Sequence, residues 1–151
     1  VDKHQCWYHK GLKNITNNID ETKIYLEKKI SNKKYKKIIF MGVSAGGYAS
    51  ILFGSLLGVT HVISFIPRTI LKYNYIDEKY KDLKKTINNK TKYIIYGDTS
   101  NKNIDGNHPI SQCENLQSFK NVSLIKKEYI NMKELRDKGE IKNLIDKIIN
   151  N

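Results

Sequence analysis

Apolar and polar residues alternate along this chain in two different periods. Ile19, Lys23, Leu26 and Ile30 recur at helical spacing and leave a mostly polar opposite face. Asn18-Ile19-Asp20-Glu21 offers an N-cap with a glutamate three residues on, so a helix is expected from Ile19 to near Ser31-Asn32. The continuous apolar run Ile38 to Met41 predicts a buried strand. A second helix is expected from Ala45 to about Leu57, with Ala49, Leu52, Phe53 and Leu56 inward. Val62 to Ile66 reads as the next strand, stopped by Pro67, and Ile76 to Ile87 as a lysine-rich, weakly amphipathic helix. Tyr93 to Tyr96 predicts a third strand that ends at Gly97-Asp98, before a polar loop from Thr99 to Pro109. A helix from Ile110 or Ser111 to about Phe119 and a fourth strand from Val122 to Ile125 come next. Asn131-Met132-Lys133-Glu134 is a second capping box, opening helical segments up to Ile149 with a break at Gly139.

Strands that alternate with helices predict an α/β fold: a three-layer sandwich, with a mostly parallel sheet covered by helices on both faces. The chain of 151 residues suits one domain and has no internal repeat, low-complexity linker or second domain. It begins at valine, which leaves two expectations, the C-terminal part of a longer protein or a trimmed version of the fold. The longest apolar stretch, Ile51 to Ile66, is interrupted by Gly54, Gly58, Thr60 and His61 and is too short and mixed to span a bilayer. Cys6 and Cys113 lie far apart and make neither a metal-ligand pattern nor a disulfide framework. No metal or organic cofactor is implied, and the default compartment is a reducing one, the cytoplasm.

The formal net charge is +12, nearly all of it lysine, since the only arginines are Arg68 and Arg136. Nucleic-acid readers lean on arginine for bidentate contacts. The lysines are scattered in pairs such as Lys28-Lys29, Lys84-Lys85 and Lys126-Lys127, which reads as a solvated surface rather than a nucleic-acid interface.

One short run concentrates the chemistry. In Gly42-Val43-Ser44-Ala45-Gly46-Gly47 a serine stands between strand and helix in the pattern G-x-S-x-G. That spacing matches a nucleophile elbow, in which a strained turn lifts the hydroxyl out of the sheet. Glycines two residues to either side are expected where a Cβ would collide with the neighbouring strand or helix. The N–H of Ala45 can point at a developing oxyanion. In an open parallel sheet function collects at the carboxyl ends of the strands. That places the Ser44 turn, Pro67-Arg68-Thr69, the loop from Asp98 to His108 and the segment Tyr129 to Asn131 together. Serine needs a base, and the base an acid that fixes its tautomer. Chain order supplies Ser44, then Asp98 and Asp105 as acids, then His108 as base. The fold would normally put the histidine after the fourth strand, but none occurs after His108. His61 should lie at the opposite end of the sheet. His9-Lys10-Gly11, just before the first helix, is the expected source of the second oxyanion N–H, from Lys10 or Gly11. His9, Gly46 and Arg68 are the candidates to line the substrate.

Trp7-Tyr8-His9-Lys10-Gly11, the elbow from Met41 to Tyr48, and Leu135-Arg136-Asp137-Lys138-Gly139 together resemble a group of α/β-hydrolase-like domains. These occur in bacterial and large-virus proteins, often beside glycan-building enzymes or repeat modules. The resemblance covers most of the chain, and the elbow is its only highly specific motif. It implies a truncated α/β-hydrolase fold, an esterase-type serine hydrolase, and an ester substrate that could be an acylated sugar. Relatives carry a histidine a few residues before the Leu-Arg-Asp-x-Gly segment; the matching position here is Asn131, and a neutral amide cannot act as a general base. The resemblance therefore leaves two expectations. Either His108 has taken over as base, or the domain is a catalytically silent module that binds a glycan or a protein.

Overall fold

The computed structural model describes Asp2, residues 5–100 and residues 108–151. Four strands, β1 (Ile39–Val43), β2 (His61–Phe65), β3 (Lys92–Asp98) and β4 (Val122–Lys127), pair in sequence order β1-β2-β3-β4, all parallel. Alternation sorts their side chains. Phe40, Val62, Tyr93, Ile95 and Leu124 face a core shared with α1 (Ile19–Ser31), α2 (Ala45–Leu57) and α3 (Ile110–Glu114). Ile63, Phe65, Ile94 and Tyr96 face α4 (Met132–Asp137) and α5 (Glu140–Asn150) on the other side. The result is the expected three-layer α/β sandwich, with a sheet that is wholly parallel.

The helices start where their caps predict. The Asn18 side chain accepts from Glu21 N at 2.8 Å, and the Glu21 carboxylate reaches back to the Asn17 N–H at 2.8 Å. Asn131 accepts from Lys133 N and Glu134 N to open α4, and Gly139 in the left-handed region (φ 74°) separates α4 from α5.

One expected helix is absent. In place of Ile76 to Ile87 the chain makes two 3₁₀ turns, Glu78–Tyr80 and Leu83–Lys85. Asp77 and Asp82 each bind the amide two residues on, offering the backbone a competitor to helix. An antiparallel bridge between Ile70 and Asp82 then bends the segment across α2 and α3, with Tyr80 and Leu83 buried. The helix after Pro109 is also shorter than predicted, ending at Glu114. No helix among the described residues is long and apolar enough to cross a membrane.

Candidate active site

β1 delivers the chain to Ser44 at the carboxyl edge of the sheet, and α2 starts at the next residue. Ser44 holds φ 53° and ψ −115°, a conformation that L-residues avoid. Two backbone bonds hold it there: Ser44 N donates to Phe65 O, and Tyr48 N donates to Ser44 O, each at 2.9 Å. The glycines around it divide the work differently from the sequence expectation. A Cβ on Gly42 would overlap the carbonyl of Gly46, so that position is sterically closed. A Cβ on Gly46 would meet nothing within 4 Å. The second closed position is Gly47, whose Cβ would come 2.7 Å from Ser64 Oγ and 3.2 Å from Pro67 Cβ on the neighbouring strand end.

His108 comes to this turn from the loop after β3. Its Nε2 lies 2.7 Å from Ser44 Oγ. The residues on its C-terminal side build the approach. His108 precedes Pro109, which favours extended backbone, and Pro109 caps α3. α3 sits close on the end of β3 because Gly97 has no side chain; a Cβ there would strike Ile110 and Cys113. Gln112 then locks α3 to the loop after β2. Its Oε1 accepts from both Thr69 N and Ile70 N at 2.8 Å, and its carbonyl accepts from the Thr69 hydroxyl. The segment carrying His108 is thus clamped to the segment after β2, next to Ser44. Nothing in the sequence pattern around Gln112 marks this role; it is legible only once two distant loops are adjacent.

Asp98, 5% exposed, ends β3. Its two carboxylate oxygens accept from Ser100 N at 2.8 Å and Ile130 N at 2.9 Å, tying the exits of β3 and β4 together. Asp105 lies outside the described residues. Ala45 is the first residue of α2, so its N–H belongs to the first turn, which has no intrahelical acceptor.

The segment before α1 differs from expectation. Gly11 N already donates to Tyr8 O at 2.9 Å, which takes it out of an oxyanion role. Gly11 itself (φ 76°) sits against Thr16, where a Cβ would overlap the Thr16 carbonyl. The Lys10 side chain is exposed in the same turn. Both His9 ring nitrogens have partners within the protein: its Nε2 lies 2.9 Å from the Tyr48 hydroxyl and its Nδ1 accepts from Asp77 N at 3.4 Å. Burial lowers the His9 pKa to about 4, with the Asp77 charge opposing, so the ring stays neutral. Tyr48, fully buried, donates onward to Tyr80 O at 3.0 Å, and burial raises its phenol pKa.

Two hollows lie near the turn. Arg68, whose Nη1 donates to the Tyr73 hydroxyl at 3.0 Å, lines a cleft of about 470 Å³ with Tyr73, Pro109 and Gln112. Tyr73 continues a stack of rings, 6.3 Å from Trp7 and 5.3 Å from Tyr75. On the other side, Gly46 faces an apolar hollow of about 340 Å³ walled by Met41, Phe53 and Leu26. The buried Cys113 thiol, its pKa pushed up to about 12 by burial, is no rival nucleophile. Among the described residues no group of three His, Cys, Asp or Glu side chains could hold a metal.

No family model, curated protein or solved structure matches the chain.

Proposed function

We propose that the chain is a serine hydrolase of esterase type. The observation that carries this reading is the 2.7 Å approach of His108 Nε2 to the hydroxyl of a serine held at positive φ between strand and helix. Ser44 Oγ attacks the ester carbonyl carbon while His108 takes its proton. The carbonyl oxygen, now negative, is met by the N–H of Ala45. The C–O bond to the alcohol breaks, and His108 returns the proton to the leaving oxygen. Water, activated by the same imidazole, then releases the acid and regenerates Ser44. Asp98 or Asp105 orients His108. The Arg68 cleft and the hollow at Gly46 would take the two sides of the substrate; the aromatic stack at Tyr73 suits a sugar ring, in keeping with a glycan ester.

A fluorophosphonate probe tests the assignment. Labelling is expected on Ser44, absent in Ser44→Ala, and lowered by at least about a thousandfold in rate in His108→Ala. A wild-type chain with a folded circular-dichroism spectrum and an inert Ser44 would overturn it.

A catalytically silent binding module is the second reading, motivated by Asn131 at the exit of β4, where its side chain is spent on capping α4. It predicts no labelling, together with saturable binding of an acetylated oligosaccharide that Arg68→Ala weakens.

A further inference from the structure

A third cavity, of about 620 Å³, opens at the far end of the sheet, where the strands begin rather than end. α5 runs back across the sheet and finishes there, so the cavity lies between its last turn and the starts of β2, β3 and β4. Register places His61 beside Lys92, on the face that α5 covers. Lys37, Lys120 and Lys147 bring three more ammonium groups to the same rim, and no acidic side chain is among the lining residues. None of these four lysines takes part in an ion pair among the described residues; the ion-paired lysines lie elsewhere. Lys37 Nζ is fixed at the wall by a 2.5 Å bond to Ile148 O at the end of α5. The floor is apolar, from Ile94, Ile125 and Leu144.

Two further observations mark the place. His61 Nδ1 is buried with no hydrogen-bond partner among the described residues. Its pKa is lowered, first by burial and then by the charges of Lys92 and Lys37, so the local field is positive. Lysines that share one rim raise a positive potential there, and that potential favours an anion.

We propose that this cavity binds a small, multiply charged organic phosphate. Its phosphate groups lie among Lys37, Lys92, Lys120 and Lys147, and its apolar body lies on Ile94, Ile125 and Leu144. Lysine suits phosphate as a point charge, and the volume falls in the range of small-molecule pockets, roughly 300–1,000 Å³. A concave site with an apolar floor fits a compact ligand better than a nucleic-acid strand. The site is independent of Ser44 chemistry.

Calorimetry with ATP as probe at low salt tests it. One saturable site per chain is expected, with weaker binding of tripolyphosphate, which lacks the apolar body. K92E/K120E should weaken ATP binding at least about tenfold. K28E/K29E makes the same change in net charge on the exposed last turn of α1 and should weaken it less than about twofold. If K92E/K120E does not fold, K147Q on α5 set against K28Q on α1 provides a comparison at equal change in net charge. The His61 ring resonances should shift on titration in the wild-type chain. Equal weakening by the two pairs would overturn the proposal. So would the lack of a saturable site, or tighter binding of a single-stranded oligonucleotide that both pairs weaken alike.

Discussion

Ser44 stores strain that a glycine would not feel. At φ 53° and ψ −115° a Cβ costs of order 1–3 kcal/mol. Ser44→Gly should therefore be more stable than Ser44→Ala by about 1 kcal/mol in urea unfolding, while both variants lose fluorophosphonate labelling. The glycines predict an asymmetry of their own. Gly42→Ala must displace the Gly46 carbonyl and should destabilise by about 1–3 kcal/mol or more. Gly46→Ala meets open space inside a helix and should stabilise by about 0.4–1 kcal/mol. His9 adds a pH dependence. Its folded pKa of about 4 lies below the ordinary 6.5, so the unfolded chain takes up the proton first as pH falls. The stability that its neutral ring contributes is complete above pH 6.5 and is lost between 6.5 and about 4. Replacing His9 by Gln should consequently cost less at about pH 4.5 than at about pH 7.5, measured by denaturant midpoint. A penalty that stays constant over that range would contradict the assignment.

Elements joined by single side chains set the geometry of the site. Gln112 satisfies two backbone N–H groups of the loop after β2, and Gln112→Ala would leave both without their partner. A loss of about 1–3 kcal/mol is expected, with a fall in kcat larger than any change in KM, because His108 would no longer be held against Ser44. Asn131→Ala removes the cap of α4 and should cost about 0.5–2 kcal/mol in stability while leaving Ser44 labelling intact. That contrast separates a base contributed by the loop after β3 from one expected after β4. Much of this level is legible in the sequence. The caps at Asn18 and Asn131, the bounds of α2 and the break at Gly139 are local signals, written in residues that touch each other along the chain. The segment from Ile76 to Ile87 departs from its helical spacing because Asp77 and Asp82 compete for the backbone, and tertiary burial of Tyr80 and Leu83 settles the contest. Of the two glycines at the start of α2, Gly47 and not Gly46 meets a close neighbour, for a similar reason. Which of two adjacent glycines faces a neighbour depends on the rotation of α2 against β2, and no local pattern carries that. The meeting of Ser44 with His108 is a chain-order expectation; the clamp at Gln112 that accompanies it leaves no sequence signal.

At the scale of the whole molecule the two ends of the sheet divide the chemistry. The carboxyl end gathers Ser44, His108 and Arg68; the amino end gathers the lysines around His61. The sheet's lateral edges differ as well. At β4, Lys126 pairs with Glu114 and Lys127 with Glu140. At β1 the outer edge pairs with no strand among the described residues, and Met41 and Val43 stand 49% and 37% exposed. An open apolar edge is a template for another strand. Two copies meeting there each carry a formal charge of +12, and that mutual repulsion is long-ranged only in dilute electrolyte. Added salt should thus act on this protein in opposite senses: it loosens the grip on a phosphate ligand and removes the barrier that keeps one β1 from finding another, so that light scattering rises with ionic strength.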